Sequence, residues 1–415
     1  MMYGMGEFFN GGCFVIINTF FTVFLTDAIG MSAALAGTIP LVGKIWDAIT
    51  DPIMGNITDR TRSKLGPKRL YILIGAFASS ITFVMLWLPV HAGSAAVTYM
   101  FYLLMYCLFS TGFTVLMVPY NGLLPDMVDD YAVRFRFSNV RMIWSTLAVN
   151  VFLSRSFRIF VGIYLTGQCG MDFVSGMAVF YVNNVLGGSS ENHYLTYLMA
   201  ALIVSQLIGM LIWGPVMAKT SKRTTILIGA PVRIISTLAL FPFSHTGGSI
   251  VPILILAMGI GIGNAATLTS IFAILADMAD VDELITGVSR PGTVSGMATF
   301  ARKVSAGISA WLIGVLLGAA GYQGKLTVQA PSTVTGIKLI FILMPVILVA
   351  LLFFFGYIFP MKRHEFDVIK KEIARRKGLE TSETTEEEKR ICEKVTGVKF
   401  EKLWDKNNIP GTDNI

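Results

Sequence analysis

Two carboxylates four residues apart, Asp47 and Asp51, stand inside an apolar run that begins near Met31. At a bilayer centre each charge costs about 2.5 to 3.5 kcal/mol, so acids are not kept there without a task. In a helix the i, i+4 spacing stacks both acids on one face, with Lys44 three residues before Asp47 and the Thr50 hydroxyl close by. Carboxylate and hydroxyl oxygens are what a hard cation binds, and two close carboxylates can instead share a proton. The spacing therefore reads as half of a cation site. The competing reading is a structural ion pair in which Lys44 neutralises one acid. All four histidines fall outside the apolar runs, so a proton route would use carboxylates.

The elements that must position these groups are membrane helices. The 415-residue chain is 54% hydrophobic and 14% charged, with mean hydropathy +0.65, where a soluble domain carries about 25% charged residues. The net charge of +7 sits in short loops between apolar runs, which is the positive-inside pattern rather than a nucleic-acid surface. No nucleic-acid partner is expected. Cys13, Cys107, Cys169 and Cys392 are too scattered for a disulfide or metal pattern, and no basic region precedes the first apolar segment as in a cleavable signal. Nucleophile and base pairings, phosphate loops and metal-ligand clusters are absent from the pattern, so an enzyme is not expected.

With about 20 apolar residues per crossing, spans are predicted at roughly 8–28, 32–57, 70–90, 97–124, 137–153, 158–186, 194–217, 224–243, 250–276, 295–318 and 335–359. After Lys362 and Arg363 comes a Lys/Glu-rich tail with Glu386, Glu387, Glu388, Lys389 and Arg390, read as a solvated helix with a frayed end. The pentapeptide I-L-I-G-A occurs at Ile72–Ala76 and Ile226–Ala230. L-P-D-M-V-D at Leu124–Asp129 matches L-A-D-M-A-D at Leu275–Asp280. The nearly equal offsets indicate two related halves, as in transporters built from parallel repeats. Basic loops at Arg60–Arg69, Arg134–Arg141, Lys219–Arg223 and Lys362–Arg363 belong on one side. Alternation works up to Leu153 and again from Phe157, and fails between them, so one crossing is missing from the count.

The stretch W-D-A-I-T-D-P-I-M-G-N-I-T-D-R-T-R-S-K-L-G-P-K-R, Trp46 to Arg69, closely resembles the second-helix and following-loop motif of the glycoside-pentoside-hexuronide:cation symporters, the melibiose permease-like branch of the major facilitator superfamily. Y-G-M-G near Tyr3, F-L-T-D-A-I-G at Phe24–Gly30, V-P-Y-N-G-L-L-P-D at Val118–Asp126, F-A-R-K-V-S at Phe300–Ser305 and the later Gly321 and Tyr322 agree, over roughly residues 3–360. The resemblance implies an all-α polytopic membrane protein of the major facilitator fold, with two pseudo-repeated lobes. Eleven membrane helices are expected instead of twelve: a lobe of helices one to five over 1–153, a lobe of helices seven to twelve over 154–360 and a cytoplasmic tail over 361–415. The sixth helix and central loop are the missing parts.

For the site, the resemblance implies that Asp47 and Asp51 bind the coupling Na+, Li+ or H+ with Thr50 and Thr114, and that no other cofactor is needed. Arg141 and Lys303 match a fifth-helix arginine and an eleventh-helix lysine on the substrate side. Where melibiose permease has sugar-binding aspartates, this chain has Gly11 and Met117, so galactoside recognition of that kind is not expected. Arg141 and Lys303 favour an anionic glycoside such as a hexuronide, and Glu7 is the acid able to substitute from helix one. Tyr120, with Trp46, Trp144 and Tyr181, could stack on a sugar ring, although membrane aromatics more commonly pack or anchor. Asp59, Arg60, Gly66, Lys68 and Arg69 resemble the superfamily's conformational lock, with Lys44 counted among the gating charges and Asp277 and Asp280 as its partners or as helix ends. Asp172 is an unmatched acid that either bonds a neighbouring helix or lines the pathway.

The expectation is a monomeric secondary active transporter of the inner membrane, both termini cytoplasmic, that moves a sugar with Na+ or H+ by alternating access. The alternatives are an inactive or sensory derivative produced by loss of the sixth helix, and a uniporter or lipid carrier.

Overall fold

The structure, a computed structural model, describes residues 13, 16–61, 68–90, 93–121, 154–188, 192–287, 291–324, 326 and 328–404. No strand occurs among them. The chain opens with α1, two π-helical segments at Ile17–Phe21 and Phe24–Ala28. Then come α2 (Ala33–Arg60), α3 (Arg69–Leu86) and α4 (Ala95–Asn121). The second group is α5 (Arg155–Tyr181, continued by a π turn at Val182–Leu186), α6 (Tyr194–Lys219), α7 (Lys222–Leu238) and α8 (Ile250–Thr286). α9 (Pro291–Ala319), α10 (Pro331–Ile358), α11 (Arg363–Arg376) and α12 (Glu386–Thr396) complete it. Helix starts follow local chemistry. Ser221 and Ser249 cap α7 and α8 by accepting from Thr224 and Val251 N–H groups, and Pro331 opens α10, where its missing N–H costs nothing.

Ten of the eleven predicted spans have a helix among the described residues; the fifth, 137–153, lies outside them. Among the described residues, seven helices are long and apolar enough to cross a membrane by length and composition alone. α2 and α5 do not meet that test; they carry Lys44, Asp47 and Asp51, and Arg155, Arg158 and Asp172. Charge in the helix makes both less apolar, although α7 passes with Arg233 buried in it. Their outer faces are still oily. Ile45, Ile49 and Ile53 on α2 and Ile203, Leu207 and Leu211 on α6 are exposed in stripes, the face that lipid covers.

Two bundles result. In the first lobe α4 packs on α2 and α3 around Phe21, Tyr102, Tyr106, Phe109 and Phe113. In the second, α8 packs on α6 and α7, and α10 on α5 and α7. The sequence repeat has a structural counterpart. A Cβ on Gly75 of α3 would lie 2.4 Å from the Leu116 nitrogen of α4, and one on Gly229 of α7 would lie 2.2 Å from Ala266 of α8. Each I-L-I-G-A glycine thus lets its helix settle on the next, and α1–α4 corresponds to α5–α8.

The lobes meet along α2 and α9. A Cβ on Gly314 would fall 2.4 Å from the Ala33 carbonyl oxygen and 2.8 Å from Gly37 Cα, so only glycine permits this backbone contact. Beyond it, Asp27 at the end of α1 accepts hydrogen bonds from Thr26 (2.7 Å) and from Tyr322 (2.8 Å) past the end of α9. The lobes are therefore closed against each other at the end opposite the basic loops.

The tail corrects the expectation of a solvated, frayed helix. Val368, Ile369 and Ile373 of α11 and Cys392 and Val395 of α12 are buried in one cluster with Phe157 and Phe160 of α5 and Ile274 and Met278 of α8. Ser156 donates to the Val395 carbonyl, the Trp404 N–H donates to the Leu284 carbonyl (2.9 Å), and Lys377 pairs with Glu283 at 2.6 Å. Thr385 and Glu388 form a capping box on α12. Hydrogen bonds from Arg375 and the Thr385 backbone pull the Glu388 carboxyl down to about 2, and burial pushes the Cys392 thiol up to about 12. The charges that read as solvent-facing hold the tail to itself and to the second lobe.

Candidate functional site

α2 offers Lys44, Asp47 and Asp51 at i, i+3 and i+7, opposite its lipid-facing isoleucines. α4 supplies Ser110 and Thr114, one turn apart, and α9 supplies Lys303 from the other lobe. Asp47 is 2% exposed. One of its oxygens accepts from the Ser110 hydroxyl at 2.6 Å and lies 3.5 Å from the Thr114 hydroxyl; the other is 3.4 Å from Lys44 Nζ and 3.5 Å from Lys303 Nζ. Asp51 accepts from the Thr114 hydroxyl at 2.8 Å and pairs directly with Lys303. A hydroxyl has one proton, and the shorter contact assigns that of Thr114 to Asp51. Asp51 is the more accessible acid, with its side chain 28% exposed against 3% for Asp47. Two carboxylates, two ammonium groups and two hydroxyls form an almost neutral cluster, the condition under which charges survive burial.

Thr50 lies beside the acids, but its hydroxyl bonds back to the Trp46 and Asp47 carbonyl oxygens (3.1 and 3.3 Å), leaving Ser110 and Thr114 to face the carboxylates. Such back-bonding satisfies a helix hydroxyl locally when no partner stands opposite. Lys44, grouped above with the gating charges, is buried against Asp47. Asp277, considered as a partner for the lock, pairs with Lys222 inside the second lobe. Glu7, Gly11, Gly66, Arg141 and Trp144 lie outside the described residues, as do the side chains of Asp59 and Arg60; Lys68 and Arg69 stand at the start of α3. Met117 is buried in the first lobe's apolar cluster, and Tyr120 packs against it. Tyr181 is fully buried, stacked on Phe341 with ring centres 4.0 Å apart and hydrogen-bonded to Ser244, so it is a packing residue. Trp46 is exposed and donates to Thr111 on α4 at 2.9 Å.

Asp172 of α5 bonds a neighbouring helix: both its oxygens are held by Arg302 of α9, one at 2.8 Å. Arg302 and Lys303 are consecutive and point about 100° apart on the helix. One charge therefore fastens α9 inside its own lobe while the next crosses to α2. Neither Ser110 nor Arg302 was singled out from the sequence. Serine is common inside membrane helices and leaves no signal, whereas Arg302 did leave one, an arginine in a predicted span alongside an acid, Asp172, without a match. Among the described residues no group of three or more His, Cys, Asp or Glu side chains gathers as a metal site would.

A sequence model of the MFS/sugar transport protein family matches residues 2–153 and 148–363. The uncharacterized symporter YjmB of Bacillus subtilis (strain 168) is 24% identical over 429 positions, covering 87% of this chain and 92% of the relative. The glucuronide carrier protein homolog of Escherichia coli (strain K12) is 23% identical over 445 positions, covering 91% and 95%. The isoprimeverose transporter of Lactiplantibacillus pentosus is 23% identical over 421, covering 85% and 87%. In the first of these alignments 87% of 415 residues is about 361, so about 68 of the 429 positions hold no residue of this chain. The family match spans nearly all of the two helical lobes, and with the all-helical repeat architecture beneath it the chain belongs to the MFS/sugar transport protein family, the glycoside-pentoside-hexuronide symporters, which are membrane transporters and not enzymes.

Proposed function

We propose that the chain moves a sugar or glycoside together with a monovalent cation, Na+, Li+ or H+, by alternating access between its lobes. The observation that carries this reading is the pair of α2 acids held by a lysine from the opposite lobe. The Lys303 ammonium acts as a tethered cation that keeps Asp47 and Asp51 neutralised when no ion is bound. An incoming cation takes Asp51, the accessible acid, then Asp47, with the Ser110 and Thr114 hydroxyls as further oxygen donors. Lys303 is thereby released from α2, free to hydrogen-bond a substrate hydroxyl or carboxylate. Ion binding and substrate binding are coupled through one side chain, and the coupling is reciprocal.

A hexuronide is the favoured substrate class, supported by a mobile cationic donor and by a relative named as a glucuronide carrier homolog. The basic loops favour a cytoplasmic location for both termini of an inner-membrane monomer, which puts the Asp27–Tyr322 contact on the outer side. The unmatched alignment positions support the loss of the sixth helix and central loop. That loss favours one second reading, a non-transporting derivative that still binds ion and sugar.

Proteoliposomes under a Na+ or proton gradient, given labelled glucuronide or isoprimeverose, test both readings. Wild type should accumulate label against its gradient. Asp47→Cys and Asp51→Cys should lose accumulation while retaining some counterflow exchange. Undiminished accumulation in both variants refutes the ion site, and absence of counterflow in wild type establishes the non-transporting reading.

A further inference from the structure

The second lobe contains a second arginine within a membrane helix, and this one is buried with no acid beside it among the described residues. Arg233 of α7 is 1% exposed and lies eleven residues into a membrane helix. Its Nη1 donates to the Asn264 side-chain oxygen of α8 at 3.0 Å, and Asn264 passes a 2.8 Å hydrogen bond to Gln206 of α6. Both amides are neutral. The Nε–H is buried without a partner, and no carboxylate among the described residues pairs with or acts on the guanidinium. Arg302 in the same lobe shows the ordinary solution, a two-pronged bond to Asp172. A guanidinium does not give up its proton in a protein, so Arg233 cannot escape by becoming neutral.

Glycines on the neighbouring helices bring α5 and α8 directly onto this charge. Arg233 Nη2 lies 3.2 Å from where a Cβ on Gly170 of α5 would stand, and its stem fits against Gly263 of α8. One turn along the same face of α5, Gly167 abuts Thr267 of α8, which is 2% exposed and whose hydroxyl is buried without a partner. Other neighbours of these two glycines, Leu348, Leu352 and Ile271, are apolar. An uncompensated cation thus touches Gly170, and the methyl of a threonine with an orphaned hydroxyl touches Gly167, inside a lobe where unmet hydrogen bonds and lone charges are strongly unfavourable.

We infer that the second lobe holds a resident monatomic anion, of the halide class, against Arg233. A water molecule would satisfy the Nε–H but would leave the charge. A carboxylate or phosphate could fork onto the Nε–Nη2 edge, but it needs a wide entrance, and Arg233 is 1% exposed. A spherical anion has no directional demand and can accept from Nε, Nη2 and the Thr267 hydroxyl together. It would pin α5, α7 and α8 to one another, and it is independent of the transport reading.

The test uses the full-length protein in nanodiscs, with chloride exchanged for gluconate at constant ionic strength. Chloride should raise the unfolding midpoint saturably by about 2–4 °C in wild type, the shift that a ligand a few-fold above its Kd gives a unit of this size. Arg233→Met should show no chloride dependence. In crystals of the wild type soaked in bromide, an anomalous peak should lie against the guanidinium. A flat wild-type response, or one that persists unchanged in Arg233→Met, overturns the proposal. Should that variant fail to fold, the bromide experiment decides alone, and an empty site at Arg233 overturns it.

Discussion

α2 and α6 occupy equivalent places in the two repeats, each preceding an I-L-I-G-A helix, yet they have opposite chemistry. α2 carries Lys44, Asp47 and Asp51 through its middle, whereas α6 has no charged residue before Lys219. The second half places its deep charges elsewhere, at Asp172 on α5, Arg233 on α7, and Arg302 and Lys303 on α9. Duplication therefore supplied a symmetric scaffold, and the paired acids of α2 have no counterpart on α6. The partners teach the same lesson. Asp172 and Arg302 make a two-pronged pair within a lobe, while the α2 acids meet single-point ammonium groups and hydroxyls, which the proposed ion would displace.

The largest expected effect breaks the two-pronged side of that contrast. Asp172→Leu leaves Arg302, whose side chain is 34% exposed, without its two-pronged partner and should destabilise by about 2–3 kcal/mol, whereas Asp172→Leu with Arg302→Met should recover most of the loss, read as unfolding midpoints of the purified protein. Gly314→Leu forces a side chain into the α2–α9 backbone contact. It should cost about 1–3 kcal/mol and open the sealed end, seen as faster labelling of an introduced Tyr322→Cys by an impermeant maleimide.

On the exchangeable side, Lys303→Met removes the built-in competitor. The Na+ concentration giving half-maximal thermal stabilisation should fall about tenfold, equivalent to about 1.4 kcal/mol. Ser110→Ala removes one hydroxyl from Asp47 and should raise the same midpoint about fivefold, or about 1 kcal/mol. An unchanged midpoint in both variants would place the ion elsewhere.

The acids of α2 were legible because a charge in an apolar run is anomalous on its face. Thr114 needed the family motif, since one threonine among many carries no mark. The tail was misread because its charge pattern outweighed a sparser signal: Val368, Ile369 and Ile373, then Cys392 and Val395, fall at helical spacing on one buried stripe. Arg233 was as visible as Lys44, a charge within a predicted span, but a lone arginine can reach a membrane surface, and only the structure places it deep inside a lobe.

The smallest expected effect checks the corrected tail. With Cys13, Cys107 and Cys169 replaced by alanine, Cys392 should react slowly with dithiodipyridine at pH 7. Glu388 has its pKa depressed to about 2 by Arg375, so its contribution to docking is full above its free value of about 4.3 and lost as pH falls toward 2. Labelling should accelerate over that window and not above it.

The tail also ties together the two ends of the second lobe's synthesis. Ser156 in the first turn of α5 is bonded to Val395, 239 residues later. At about 5–20 residues per second the ribosome needs roughly 12–50 s to deliver that partner. Throughout this interval Phe157 and Phe160 wait at the membrane edge without their cover, so a nascent chain that stalls anywhere short of its last helix presents chaperones and proteases with an oily, unfinished base.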